Sequence, residues 1–193
     1  NKAHKPAITA TQMLESMTHQ PLPTRAEASD VANAIYDRTS AIMLSGECAA
    51  GDYPVECVKT MDKIAKRVEP TINYWKRFDE NENIDLSTLE DSVAYSVCVM
   101  AKNINADAII CYTNTGDSAR RLSGLGAACP ILAVTNNKRT FRQLGLAWNV
   151  FPVFIDEEDY NKFKERHSLS TVPKGNLSEY KGKVFIGIDA GST

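Results

Sequence analysis

The chain has 193 residues, 43% of them hydrophobic and 24% charged, a balance that supports a buried core and does not require a disordered chain. Its 22 basic and 24 acidic side chains leave a formal charge of -2 with no block of like charge, which argues against a broad electrostatic grip on nucleic acid or an anionic membrane. No apolar run reaches the roughly 18 residues that span a bilayer, and residues 1–6 lack the apolar stretch of a signal peptide, so a cytoplasmic location is expected. The first residue is Asn rather than Met, as expected of a chain that begins inside a longer polypeptide.

Taken in order, residues 7–12 form a short β-prone run entering a polar turn, and residues 41–44 form a second that stops at Ser45-Gly46-Glu47. Between them, Thr24 and Glu27 have the spacing of a capping box, and the helix they start places Ala28, Val31, Ala32 and Ile35 on one face. Pro54 opens another helix, with Val55, Val58, Met61, Ala65 and Val68 at helical spacing. Residues 73–86 are polar and without a clear period, which makes them the expected linker between domains at 1–72 and 87–193. Ser87 and Glu90 read as a second capping box, and Leu89, Val93, Val97, Met100 and Ile104 as the buried face of a long helix. Apolar strands at 108–112, 131–134 and 150–155 then alternate with helices through Arg121 and at 139–146. Continuous apolar strands alternating with helices imply a mostly parallel sheet covered on both faces. A charged helix at 156–166, a polar stretch at 167–182 and a last β-prone run at 183–188 close the chain.

The five cysteines, Cys48, Cys57, Cys98, Cys111 and Cys129, are odd in number and lack a CxxC pair, so reduced thiols are expected. Cys98 and Cys111 sit in apolar segments and read as small buried hydrophobes. His4, His19 and His167 are isolated, without a zinc-ligand spacing. In parallel α/β units ligands gather at the carboxyl ends of strands. Four polar clusters occupy such places: Thr11 with Gln12, Ser45 to Glu47, residues 113–118, and Thr135 to Asn137. Physics alone leaves each of them open between a site and an ordinary turn.

The runs Lys5-Pro6-Ala7-Ile8-Thr9-Ala10-Thr11-Gln12-Met13-Leu14-Glu15-Ser16-Met17, Pro23-Thr24-Arg25-Ala26-Glu27, and Ile42-Met43-Leu44-Ser45-Gly46-Glu47 with Gly51-Asp52-Tyr53-Pro54 closely resemble pyruvate kinases. The resemblance covers residues 1–72 as the last two strand-helix units of a (β/α)8 TIM barrel. It continues, more loosely, into a three-layer α/β carboxyl-terminal domain at 87–193, of which 156–193 diverges. It implies phosphoryl transfer from phosphoenolpyruvate to ADP, giving pyruvate and ATP, in a homotetramer that requires Mg2+ and K+. Thr11 then matches the active-site threonine that assists proton delivery, and Ser45 a serine of the active-site hydroxyl network. Arg25 matches an arginine at a subunit contact near the substrate. Thr113, Thr115, Gly116 and Ser118 match a loop that binds an effector phosphate, although Asp117 stands where a basic residue often does. Glu15 and Glu47 read as acids holding loops rather than as bases, and Glu27 as a cap. The family's metal ligands precede the matched region, so none is assigned here, and the chain by itself is expected to be inactive.

Residues 184–193 depart from the family's usual ending, and Asp189-Ala190-Gly191-Ser192-Thr193 is similar to the phosphate loop of acyl-CoA dehydratase activators. The alternatives to an enzyme portion are therefore a regulatory module that lost the chemistry, or the leading segment of a fused ATP-dependent activator.

Overall fold

A computed structural model describes residues 4–81, 84–156, 158–159, 161–162, 165 and 186–189. The chain divides into two compact units, residues 5–77 and residues 78–193 with the first four.

The first unit opens with strand β1 (Ile8–Thr9), a single 3-10 turn (Glu15–Thr18) and helix α1 (Arg25–Tyr36). Strand β2 (Ala41–Ile42), a one-turn helix α2 (Gly46–Ala49) and helix α3 (Pro54–Val68) follow. β1 and β2 pair in parallel, Ile8 opposite Ala41 and Thr9 opposite Ile42. α1 begins where the sequence places it: the Thr24 hydroxyl accepts from the Glu27 N–H, and the Glu27 carboxylate accepts from the Thr24 N–H. Pro54 occupies the first turn of α3, where its missing N–H costs nothing.

The core of this unit is Met13, Leu14, Met17, Val31, Ala34, Ile35, Cys57, Met61 and Ile72. α3 departs from the expected face, since Val55 and Val58 are exposed while Cys57 is buried. Only two short strands lie in this sheet, so the Val58, Met61 and Ala65 side of α3 meets Ile42, Met43 and Leu44 across an open apolar groove of about 410 Å³.

A short helix α4 (Tyr74–Asp79) lies within the expected linker, with Phe78 buried and stacked on Tyr95 at 5.4 Å between ring centroids. Helix α5 (Leu89–Asn103) starts one residue later than the sequence implies. Thr88, not Ser87, is the cap, and accepts from the Asp91 N–H at 3.2 Å. The Ser87 N–H is taken by the Asp85 carboxylate in the preceding turn, which leaves Ser87 outside the helix.

The buried face of α5 also differs from the expected stripe. Ala94, Val97, Cys98 and Ala101 are buried, whereas Leu89 is 76% and Met100 53% exposed. Both stripes satisfy the helical period, and the small one allows the close approach that packing against its neighbours requires.

Strand β3 (Ile109–Tyr112), helix α6 (Asp117–Leu125), strand β4 (Ile131–Thr135), helix α7 (Lys138–Leu144), strand β5 (Val150–Phe154) and strand β6 (Ile186–Asp189) complete the second unit. Its sheet is parallel throughout, in the order β5-β4-β3-β6. Buried Ile109, Cys111, Ile131 and Ala133 line the sheet, and Ala119, Leu122 and Leu125 of α6 are buried as well. Within the last β-prone run, residues 186–188 join the sheet beside β3 as part of β6, with Ile109 opposite Ile186, while residues 183–185 and the polar stretch at 167–182 lie outside the described residues. Residues 190–193, the rest of the phosphate-loop resemblance, lie outside the described residues. The charged segment after β5 is helical at residues 158–159, 161–162 and 165.

No helix among the described residues is long and apolar enough to cross a membrane. The five cysteines are free thiols, four buried and Cys48 exposed.

Candidate functional site

The parallel pairing of β1 and β2 sends the two following loops out from the same end of the sheet, because the register continues with the Met43 N–H donating to the Thr9 carbonyl. Thr11 and Gln12 stand in the first loop with φ of 71° and 54°, a left-handed conformation that side chains other than Gly seldom adopt. Two such residues in succession cost on the order of 1–3 kcal/mol each. The strain is offset immediately downstream, where Met13, Leu14 and Met17 drop into the core. The turn therefore holds Thr11 at the surface above a firmly seated segment.

Ser45 caps α2 at the end of the second loop. Its carbonyl accepts from the Cys48 and Ala49 N–H groups at 3.2 and 3.0 Å. Its side chain, like that of Thr11, is exposed, and neither hydroxyl has a hydrogen-bond partner among the described residues. Two unengaged hydroxyls thus stand on loops from adjacent strand ends, free to meet a ligand.

Beneath them lies Glu47, 1% exposed. One carboxylate oxygen accepts from the Leu14 N–H at 3.2 Å and the other from the Ser45 N–H at 2.7 Å. Burial pushes its carboxyl up, but its own backbone N–H and those of Ser45 and Leu14 outweigh that and hold it below the usual carboxylate range. Gly51 closes in on the Glu47 carbonyl so tightly that any side chain there would strike it. Arg25 is the first residue of α1, exposed, without an ion-pair partner among the described residues.

The loop after β3 belongs to the other unit. Thr113 is buried and its hydroxyl accepts from the Gly116 N–H at 2.9 Å, so it closes the loop on itself. Thr115 is exposed, with its hydroxyl 3.4 Å from the Asp117 N–H and its carbonyl accepting from Arg120. Gly116 caps α6 with φ of 84°, and Ser118 lies in the first turn, half-buried. The Asp117 carboxylate accepts from Arg121 Nε at 2.7 Å, and the same guanidinium reaches Asp91 in the first turn of α5. Its two carboxylate partners push the Arg121 guanidinium above its ordinary value. Among the described residues no group of three or more His, Cys, Asp or Glu side chains is placed to hold a metal ion.

Two family descriptions match the chain in this order: "Pyruvate kinase, barrel domain" over residues 1–58 and "Pyruvate kinase, alpha/beta domain" over residues 91–185. The chain belongs to the pyruvate kinase family. It is 47% identical over 157 residues to the pyruvate kinase of Clostridium acetobutylicum, an alignment covering 81% of this chain and 33% of that protein. It is 45% identical over 199 residues to the pyruvate kinase of Sporosarcina psychrophila, covering all of this chain and 34% of that protein. A crystal structure of a pyruvate kinase from Cryptosporidium parvum is similar with a TM-score of 0.75 and 33% identity, over 87% of this chain and 36% of that one. The chain thus spans about a third of the length of the relatives it matches.

In this pyruvate kinase segment the structure brings Thr11 and Ser45 to one end of one sheet, and places Thr113, Thr115, Gly116 and Ser118 on a different sheet. Two connections escaped the sequence reading. The Ser16 N–H and hydroxyl both donate to Glu27, at 2.6 and 2.5 Å, so the capping acid of α1 also ties down the loop that carries Thr11. Arg121 joins α6 to α5 through Asp91. Neither has a local signature, since the partners are 11 and 30 residues apart.

Proposed function

We propose that this segment forms part of the active site of an enzyme that moves the phosphoryl group of phosphoenolpyruvate to ADP, giving pyruvate and ATP. The observation that carries the reading is the pair of unengaged hydroxyls, Thr11 and Ser45, at the carboxyl ends of two adjacent parallel strands. In this transfer the bond between phosphorus and the enol oxygen breaks, a terminal ADP oxygen takes the phosphoryl group, and the enolate left behind gains a proton on its methylene carbon. A threonine hydroxyl is too weak an acid to give that proton unaided. Thr11 serves by ordering and relaying through water, while Ser45 completes the hydrogen-bonded line from the neighbouring loop.

Mg2+ and K+ belong to this reading, and would neutralise phosphate charge when bound. The residues present do not fit them, because both Glu47 oxygens are engaged by backbone N–H groups and no acidic cluster is available among the described residues. No step here is assigned to an ion. The loop of Thr113, Thr115, Gly116 and Ser118 is the candidate for a small phosphate effector, in a homotetramer in which Arg25 meets a neighbouring subunit. A bisphosphate is disfavoured, since Asp117 adds a negative charge and Thr113 is already spent on Gly116. A cytoplasmic location accompanies the reading.

The test is Thr11→Ala in the full-length enzyme that carries this segment. Pyruvate formation should fall by about 100-fold with the KM for phosphoenolpyruvate little changed, because the hydroxyl acts in the transition state. Unchanged turnover removes Thr11 from the mechanism, and absence of any pyruvate formation by the unsubstituted enzyme removes the reading itself. The 193-residue chain alone should form no pyruvate.

A further inference from the structure

We propose that Glu47 is a positioning residue for this chemistry, a buried bracket that fixes the Thr11 loop and the Ser45 loop in one register. The inference rests on the function proposed above. Glu47 touches neither hydroxyl; it takes the N–H of Leu14, three residues past Thr11, on one oxygen and the N–H of Ser45 on the other.

The choice of side chain is informative. A carboxylate at 1% exposure, with no cation paired to it among the described residues, is expensive to bury. Its charge is met only by backbone dipoles, and an apolar residue would fill the space at less cost. Both partners are donors, however, so only a side chain with two acceptors satisfies both at once. Glutamine has one acceptor oxygen, and its NH2 group would face an N–H. The negative charge is therefore tied to holding two loops together, not to packing.

The two loops also differ in what else restrains them. β1 and β2 contribute only two residues each, so the ladder ends before either hydroxyl is reached. Thr11 and Gln12 lie in left-handed backbone, which relaxes unless the segment after it is held. On the first loop Ser16 is held by Glu27 and Leu14 by Glu47, and on the second Ser45 is held by Glu47. Of the two acids, Glu47 alone bridges the loops.

The experiment compares Glu47→Gln, Glu47→Asp, Thr11→Ala and the Thr11→Ala/Glu47→Gln double variant in the full-length enzyme. The readouts are kcat, the KM for phosphoenolpyruvate, and the rate at which the methyl hydrogens of pyruvate exchange with D2O. Misplacing a reacting group is expected to lower kcat and methyl exchange together in Glu47→Gln by about tenfold or more, with the KM within a few-fold. Glu47→Asp keeps both acceptors on a shorter stem and should recover part of the loss. In the Glu47→Gln background Thr11→Ala should cost much less than it does alone, because its position is already lost.

Wild-type kcat in Glu47→Gln beside a damaged Thr11→Ala overturns the positioning role and leaves the proposed function standing, as do fully additive losses. An inert Thr11→Ala overturns both. Should the Glu47 variants fail to fold, hydrogen exchange in the unsubstituted enzyme decides: slow exchange at the Ser45 amide, on an exposed residue, supports the bracket, and unprotected exchange at Ser45 and Leu14 overturns it.

Discussion

Ser16 gives both its backbone N–H and its hydroxyl to the carboxylate of Glu27, eleven residues along the chain, at 2.6 and 2.5 Å. The same carboxylate accepts from the Thr24 N–H at 2.7 Å and the Thr24 hydroxyl at 2.8 Å. Partial burial pushes the Glu27 carboxyl up, but the Ser16 and Thr24 donors overcome it and lower the value from 4.5 to about 2. A carboxyl depressed in the folded state stabilises it fully above the unfolded value, and that contribution fades as pH falls from about 4.5 to about 2. Glu27→Gln is therefore expected to be less stable at pH 7, by about 1 kcal/mol for the lost cap, and to lose less further stability on acidification. Urea unfolding of both proteins at pH 7 and pH 3 measures the difference; parallel losses at the two values would show that Glu27 titrates normally.

Gly116 is conformationally constrained in a way that Gly46 is not. Its φ of 84° disfavours any side chain, and a Cβ there would meet the Arg120 guanidinium at 2.9 Å and the Thr140 methyl at 3.1 Å. Gly116→Ala should destabilise by about 1–3 kcal/mol. Gly46 has nothing within 4 Å of the corresponding point, and sits in helical backbone. Gly46→Ala should be neutral or stabilise by up to about 1 kcal/mol. Thermal melts of the two variants give the comparison, and equal losses would contradict the turn described for the loop after β3.

The thiols differ sharply in reactivity. Burial pushes Cys98 and Cys111 up to about 12 and also raises Cys57 and Cys129, so at neutral pH each is both protonated and inaccessible. Cys48 is exposed, its Sγ 3.7 Å from the Pro54 carbonyl. A thiol reagent should label Cys48 rapidly in the native chain and all five cysteines only after denaturation. Mass spectrometry of the labelled peptides reads this directly, and rapid native labelling of Cys98 or Cys111 would mean that α5 and β3 are not packed as described.

What could be read from the sequence was what depends on neighbours in the chain. The Thr24 box and the Pro54 start were legible because a cap needs only three or four consecutive residues, and the strands after Ala108 because they are apolar throughout. The strand-end position of Thr11 and Ser45 was legible for the same reason. The left-handed turn at Thr11 was not, since threonine carries no signal for positive φ and the turn is enforced by burial of Met13 and Leu14. The Ser16 to Glu27 and Arg121 to Asp91 links were equally invisible, being made between elements that meet only after folding.

Helix α5 offers the sharpest remaining check, because two stripes compete on it. Periodicity favours Leu89, Val93, Val97, Met100 and Ile104, the larger apolar side chains. The structure buries Ala94, Cys98 and Ala101 beside Val97 instead, and leaves Met100 in solvent. Ala101 is fully buried, so an added side chain has nowhere to go, and Ala101→Leu should cost about 1–3 kcal/mol. Met100→Gln removes only exposed apolar area and should stay within about 0.5 kcal/mol. Urea unfolding at low protein concentration separates the two, since self-association would bury Met100 and mask the answer. If Met100→Gln proved the costly substitution and Ala101→Leu the tolerated one, α5 would be packed a third of a turn away from its position here, and the Arg121 bridge to Asp91 at its first turn would have to break with it.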